Sequence, residues 1–216
     1  MHNNHCHRVT AHLQLNILLY ILSLSEHHMN HSELQQTFFD NYKLRVSYCR
    51  TLYEKGGVCI FGQESLRCVR IDLEKYCKDK DWSLCHQDSI QLQKCMHNCY
   101  IQRPTGNFDL FITKLDTILR KLYIVTNEYI ICGDTNIDYL VDSDNWQLEA
   151  LLKTYNLTSV VNFPTRTQKN SSTGIDNIFI DFSKMGNYSI CPEINDLSDH
   201  NITFFQSETT HQKKVC

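Results

Sequence analysis

Proline and glycine are scarce: three prolines and seven glycines in 216 residues leave no room for a low-complexity linker. No segment recurs at a fixed period, which excludes a repeat architecture. An excess of one charge is missing too. With 21 basic and 24 acidic side chains the net charge is −3, so no global basic field advertises a polyanion partner. A cleft that holds a metal needs carboxylates and remains compatible with that balance. No apolar run is long enough to span a bilayer. Leu13 to Leu24 has the length of a signal-peptide core, but Gln14 and Asn16 interrupt it and no small-residue cleavage site follows. The expectation is an intracellular chain, nuclear or cytoplasmic, without a membrane partner.

What is present fits one folded unit. Apolar residues make up 42% and charged residues 21%, as in ordinary globular proteins, and the length suits one large α/β domain. Eleven cysteines invite a disulfide reading, yet the number is odd and they are spread along the chain. Cys59 and Cys132 sit inside apolar runs, where a free thiol behaves as a small hydrophobe, so a reducing compartment is the better reading. Cys95 and Cys99, with Cys85, His86 and His97 nearby, have the look of half a zinc site. No second pair with finger-like spacing follows, and ordinary buried or surface side chains are the better account. Histidines crowd the first residues (His2, His5, His7, His12) ahead of any patterned segment. Five Asn-x-Ser/Thr sequons, at Asn30, Asn156, Asn170, Asn187 and Asn201, carry little weight without a secretory signal.

The hydrophobic pattern alternates between strand and helix. Ile17 to Ser25 reads as one continuous buried strand ending at a carboxylate, Glu26. Ser32 to Phe39 suits a short helix, and Gly56-Gly57 a turn feeding a buried strand over Val58 to Phe61. From Cys77 to Cys99 the chain is polar and weakly patterned. Phe108, Phe111, Leu115, Ile118, Leu119 and Leu122 recur at helical spacing behind Asn107 as N-cap. Glu128 to Cys132 is a strand stopped at Gly133. A second helix is expected over Asn145 to Tyr155, capped by Ser143 or Asp144. Short strands follow at Asn177 to Ile180 and Ile202 to Phe205. Such alternation argues an α/β architecture with buried sheets.

Four places carry chemistry. Gly133-Asp134-Thr135-Asn136 delivers a carboxylate and an amide beyond a strand, where one can hold a metal or take a proton from water and the other can donate to a phosphate. Asp, Asn and Gly are also the ordinary vocabulary of turns. Asp199-His200 offers a metal ligand beside an imidazole, though such neighbours are often plain surface pairs. Asp176 enters an apolar strand, which costs desolvation unless a partner offsets it. Glu26 ends the first apolar run. Each signal is weak alone, but their order along the chain is constrained, and together they are informative.

In that order, and with Lys55-Gly56-Gly57-Val58, Pro104-Thr105-Gly106-Asn107-Phe108 and Phe163-Pro164-Thr165-Arg166 between them, the chain resembles the endonuclease domain of non-LTR (LINE-type) retrotransposons. That domain is a relative of the apurinic/apyrimidinic endonucleases and of DNase I. The resemblance runs from Ile17 to Phe205. It implies a four-layer sandwich of two facing mixed β-sheets flanked by helices, with the site where loops meet at one edge. It also implies a DNA-nicking, magnesium-dependent phosphodiester hydrolase (manganese as the alternative ion). Glu26 would bind the metal, and Asp199, a catalytic residue, would help the metal site or the leaving-group region. Asp134 would position or deprotonate water, Asn136 would hold the scissile phosphate, and His200 would bond a phosphate oxygen, oriented by Asp176. Arg166 and Lys169, in the loop from Phe163 to Thr173, would face DNA; a solvated loop accounts for them almost as well. A reverse transcriptase domain accompanies this one in full-length elements and is absent here, and the domain is expected to be monomeric.

The chain departs from that pattern at two places. The resemblance calls for a first strand carrying an Asn of the metal and phosphate site, and nothing before Ile17 reads as that strand. Residues 1–15 are expected to be unrelated or disordered sequence, 16–206 the domain truncated at its N-terminus, and 207–216 a tail. A Tyr is also expected where Ile101 stands, and Ser83 to Asn98 does not read as the strand pair that should precede it. An inactive remnant of the domain, a small-molecule phosphatase of the same fold and a secreted glycoprotein are the competing readings.

Overall fold

The computed structural model describes residues 14–18, 21–25, 27, 29–49, 57–65, 70–71, 89–92, 95–101, 107–125, 128–168, 170–181, 183, 188–193 and 200–207. The chain opens with β1 (Gln14–Leu18), β2 (Ile21–Ser25), α1 (His31–Gln36), β3 (Tyr42–Cys49) and β4 (Gly57–Gln63). It continues through β5 (Arg70–Ile71), β6 (Ser89–Leu92), β7 (Cys95–Ile101), α2 (Phe108–Val125), β8 (Glu128–Asp134) and α3 (Asp142–Thr154). The last strands are β9 (Leu157–Ser159), β10 (Arg166–Gln168), β11 (Ser171–Thr173), β12 (Asp176–Asp181), β13 (Tyr188–Glu193) and β14 (Ile202–Ser207). They build two 6-stranded sheets, ordered β13-β14-β1-β2-β4-β3 and β5-β6-β7-β8-β12-β9, and a hairpin of β10 and β11.

Three apolar clusters hold these layers together. In β4, Val58 and Ile60 join Ile21, Val46 and Phe205 of their own sheet against Ile130, Cys132, Ile178 and Ile180 of the other. Cys59 and Phe61 face the opposite way, in a cluster with Leu22 and Leu24 of β2 and Leu34 of α1. A strand buried on both faces reads as an unbroken apolar run, which is why Val58 to Phe61 shows no alternation. On the far side of the second sheet, α2 and α3 cover Ile131 and Phe179. The expected α2 stripe is what packs there: Phe111, Leu115, Ile118, Leu119 and Leu122 are all buried, each contributing roughly 1.5–3 kcal/mol. Asn107 accepts the Leu110 N–H at 3.0 Å and so caps the helix. In α1, Asn30 and Glu33 form a reciprocal capping box.

Several local expectations change. The run Ile17 to Ser25 is not one strand but part of a hairpin, since β1 pairs antiparallel with β2 from Gln14↔Ser25 to Leu18↔Ile21. β1 also pairs in parallel with β14, at Asn16↔Thr203 and Ile17↔Phe204. The first-strand position therefore holds a strand, where the sequence led us to expect none. Its direction follows from chain length. Only residues 19–20 separate β1 from β2, whereas a parallel return needs a crossover of about a dozen residues or more. Ser83 to Asn98 contains a strand pair after all, with Ile90↔His97 and Leu92↔Cys95 joining β6 to β7. The pairing partner β8, running parallel to β7, is remote in sequence, so a local pattern carries little trace of it. α3 starts at Asp142, ahead of the expected Asn145, and its N-cap Val141 makes no side-chain bond. Its start is set by an anchored loop: Asp138 Oδ1 accepts from Leu140 N and Gly174 N at 3.0 and 2.9 Å.

Candidate active site

The site begins with strand register. β8 and β12 pair antiparallel with Asp134 directly opposite Asp176. Their neighbours Ile178↔Cys132 and Ile180↔Ile130 lie in the core between the sheets, so alternation puts both carboxylates on that same inner face, at its end. Two acidic side chains opposite each other repel, and both are about 1% exposed. Compensation comes from the third member. His200 Nδ1 lies 2.9 Å from Asp176 Oδ2, with both side chains buried. One ligand atom from each of Asp134, Asp176 and His200 lies within 4.8 Å of the others. The Nδ1 bond to a carboxylate makes Nδ1 the donor, leaving Nε2 as the ring nitrogen directed away from Asp176.

The loop after β8 is held by its own side chains. Gly133 has φ 151°, a backbone suited to glycine, and turns the chain into Asp134. Asp134 Oδ1 accepts the Asn136 N–H at 2.7 Å, and Asn136 takes the left-handed conformation at φ 50° that Asn tolerates. His200 is placed by the β10–β11 hairpin. A β-bridge joins Arg166 to His200, and Thr165 C=O accepts the Asn201 N–H at 2.6 Å. The buried Thr165 hydroxyl accepts the Asp176 N–H at 3.0 Å. Thr165 thus ties both members of the His–Asp pair to one residue. As a residue type Thr165 carries no mark of this role in the sequence; the block Phe163-Pro164-Thr165-Arg166 is the available signal.

Of the expected site residues, Asp134, Asn136, Asp176, His200 and Arg166 are brought to one place. Glu26, Lys169 and Asp199 lie outside the described residues. Register locates the end of β2, at Ser25. Position 14 of β1 pairs with Ser25 and, by extension of the Asn16↔Thr203 register, is level with position 201. The end of β2 is therefore level with the start of β14, two strands or about 10 Å away. Just beyond it, His27 is fully buried against the bare Cα of Gly57. β1 carries an asparagine, Asn16, in the row Thr203–Asn16–Ser23. That row is three residues along β14 from His200, again about 10 Å. Position 16 is the middle of β1, two residues in from the end that pairs with Ser25, and so is not at the edge where the resemblance expects an Asn. Ile101 is level with Asp134, and Tyr100 with Gly133, so the expected Tyr position is at the edge and Tyr100 is one step back.

Asp176 Oδ1 is buried without a hydrogen-bond partner, a costly state for a carboxylate oxygen unless something occupies it. With Asp134 opposite, the described donors are oxygen-rich. Such a set fits a hard divalent cation of the magnesium or manganese type.

Solved structures share this architecture. A Neisseria 3′ phosphatase, NExo, solved with a product DNA hairpin, superposes with TM-score 0.62 at 13% identity, covering 87% of this chain and 88% of that one. An endonuclease/exonuclease/phosphatase family protein from Leptotrichia buccalis gives 0.58 at 14% identity, covering 88% of each chain. The Xenopus laevis APE2 catalytic domain gives 0.55 at 15%, covering 89% of this chain and 86% of that domain. No protein-family model matches, and no curated protein sequence matches. The chain has the α/β fold of the endonuclease/exonuclease/phosphatase, or DNase I-like, structures. Among its described residues no helix is long and apolar enough to cross a membrane.

Proposed function

We propose that this chain is a metal-dependent phosphodiester hydrolase that nicks DNA, a domain of LINE-type retrotransposon origin. One observation carries the reading: a buried Asp176–His200 pair in contact range of Asp134, assembled from three segments remote in sequence. The order of those residues along the chain is the one the retrotransposon resemblance calls for. The two sheets with α1 outside one and α2 and α3 outside the other are read as a four-layer sandwich.

Each residue has a task in phosphodiester hydrolysis. Asp134 holds the attacking water and takes its proton, while its Oδ1 keeps Asn136 in place. Asn136 donates to the scissile phosphate. His200, locked through Nδ1 by Asp176, presents Nε2 to a phosphate oxygen as charge develops. Glu26 and Asp199 are the metal ligands the resemblance adds to the oxygen donors of the cluster. A bound divalent cation, magnesium or manganese, supplies positive charge to the phosphate oxygens. Arg166, bridged to His200 at the hairpin base, and Lys169 contact the DNA backbone.

The test is nicking of supercoiled plasmid in magnesium, followed as conversion to the open circle. EDTA-sensitive nicking that His200→Ala abolishes is the expected result. Absence of nicking, or nicking that His200→Ala leaves intact, sinks it. A second reading, a catalytically inactive remnant, has its own observation. β1 is flanked by Ser23 Oγ and Thr203 Oγ1, both buried without partners, as expected where a strand fills a place poorly matched to it. DNA binding without nicking would decide for that reading.

A further inference from the structure

Between the two residues of the Asp134–Asn136 loop lies Thr135, which is fully buried. Its hydroxyl donates to Ile175 C=O at 2.8 Å and accepts the Ile137 N–H at 3.2 Å. Its own N–H donates to the same Ile175 carbonyl at 2.8 Å. Ile175 is the residue immediately before Asp176. One side chain therefore spans from the loop of Asp134 and Asn136 to the strand of Asp176 and His200's partner carboxylate.

We infer that Thr135 is a positioning residue, whose hydroxyl sets how the Asp134–Asn136 loop stands against Asp176. This rests on the hydrolase reading above and deepens it. The register Asp176↔Asp134 fixes only the strands, since it ends at position 134. Beyond that point the chain turns, and Asn136 sits at φ 50°. Three successive N–H groups then find acceptors: that of Thr135 in the remote Ile175 C=O, that of Asn136 in Asp134 Oδ1 and that of Ile137 in the Thr135 hydroxyl. Removing the hydroxyl leaves a buried N–H without its acceptor and the Ile175 carbonyl with one donor fewer. The loop can shift to recover a partner, and a shift of about 1 Å at reacting groups costs up to roughly 10²-fold in rate. Binding of DNA through distant backbone contacts is left largely as it was.

The experiment compares wild type, Thr135→Val and Thr135→Ser in magnesium-dependent plasmid nicking, with thermal melts to establish folding. Valine keeps the shape and loses the hydroxyl; serine keeps the hydroxyl. The expected result is a fall in kcat of about 10- to 100-fold for Thr135→Val with KM within about threefold, and Thr135→Ser within about threefold of wild type in both. A folded Thr135→Val with wild-type kcat overturns the inference, and so does Thr135→Ser as impaired as Thr135→Val. Thr135→Ala gives the same reading if valine prevents folding. If neither hydroxyl-free variant folds while serine does, the residue is a stability element and the positioning role is wrong. A wild type that fails to nick removes the hydrolase reading and this one with it, whereas a nicking wild type indifferent to Thr135 removes this one alone.

Discussion

Adding one methyl at Gly57 is expected to damage this protein through a single contact. An ideal Cβ there would lie 2.5 Å from His27 Cε1, 2.8 Å from Nε2 and 2.9 Å from Nδ1. Carbon atoms rest at about 3.5–4.0 Å, so the ring would have to retreat by about 1 Å. It has no open side to retreat to, being 0% exposed. Gly57 is also pinned as the first residue of β4, paired with Cys49, so the strand yields only by breaking that pairing. Overpacking of this kind costs roughly 1–3 kcal/mol. For a chain of this length each kcal/mol is about 2–4 °C in Tm, and the middle of the range corresponds to roughly 4–8 °C. Thermal melts and urea titrations of Gly57→Ala, His27→Ala and the double variant measure it. In the His27→Ala background the added methyl meets an emptied space, so the coupling between the two changes should be about 1 kcal/mol or more. Additivity within about 0.5 kcal/mol would refute the steric account, as would a Gly57→Ala protein as stable as wild type. On the hydrolase reading proposed above, in which Glu26 holds the metal, the contact bears on activity too, because His27 follows Glu26 directly in the chain. Gly57→Ala is therefore expected to raise the magnesium concentration needed for nicking.

Asp176→Asn should leave the sheet intact and reduce nicking by at least about a hundredfold, since it removes the charge that orients and supports His200; near-wild-type turnover would refute the role given to the pair. Burial first, then the hydrogen bond to Asp116 and its charge, push the Tyr155 hydroxyl up from 10.0 to about 12. The folded state holds that proton more tightly, so its stabilisation is complete below 10.0 and is lost as pH rises to about 12. Between those values the wild type should lose Tm relative to Tyr155→Phe, and parallel melting curves across that window would contradict the assignment. Phe179→Ala, which empties a fully buried position under α2 and α3, should cost about 3–5 kcal/mol in urea unfolding; a loss below about 1 kcal/mol would mean that the helix layer does not depend on it.

Legibility in the sequence differed from element to element, for identifiable reasons. The α2 stripe was readable because each of its buried residues contacts a face repeated every 3.6 positions, a local property of the chain. The strand ahead of Gly133 and the buried β4 were readable from unbroken apolar runs bounded by glycine. β6 and β7 were not, because β7 is placed by its parallel pairing with the remote β8 and β6 by its pairing with β7, not by an alternation of their own. The start of α3 was missed because Asp138 anchors the preceding loop to Gly174, a contact 36 positions away.

The candidate site divides the same way. Residue types and their order along the chain already singled out Asp134, Asn136, Asp176 and His200, since acid–base and phosphate chemistry draws on a short set of side chains. That Asp134 stands opposite Asp176, that His200 reaches Asp176 from 24 positions away, and that Thr135 and Thr165 bind these parts together are matters of register and packing. The direction of β1 is a third such case. Its apolar character is local, but a connection of residues 19–20 and the place open between β2 and β14 decided that it runs against β2 and alongside β14. Pairings of that kind are made between segments that carry no mark of each other until the chain has folded.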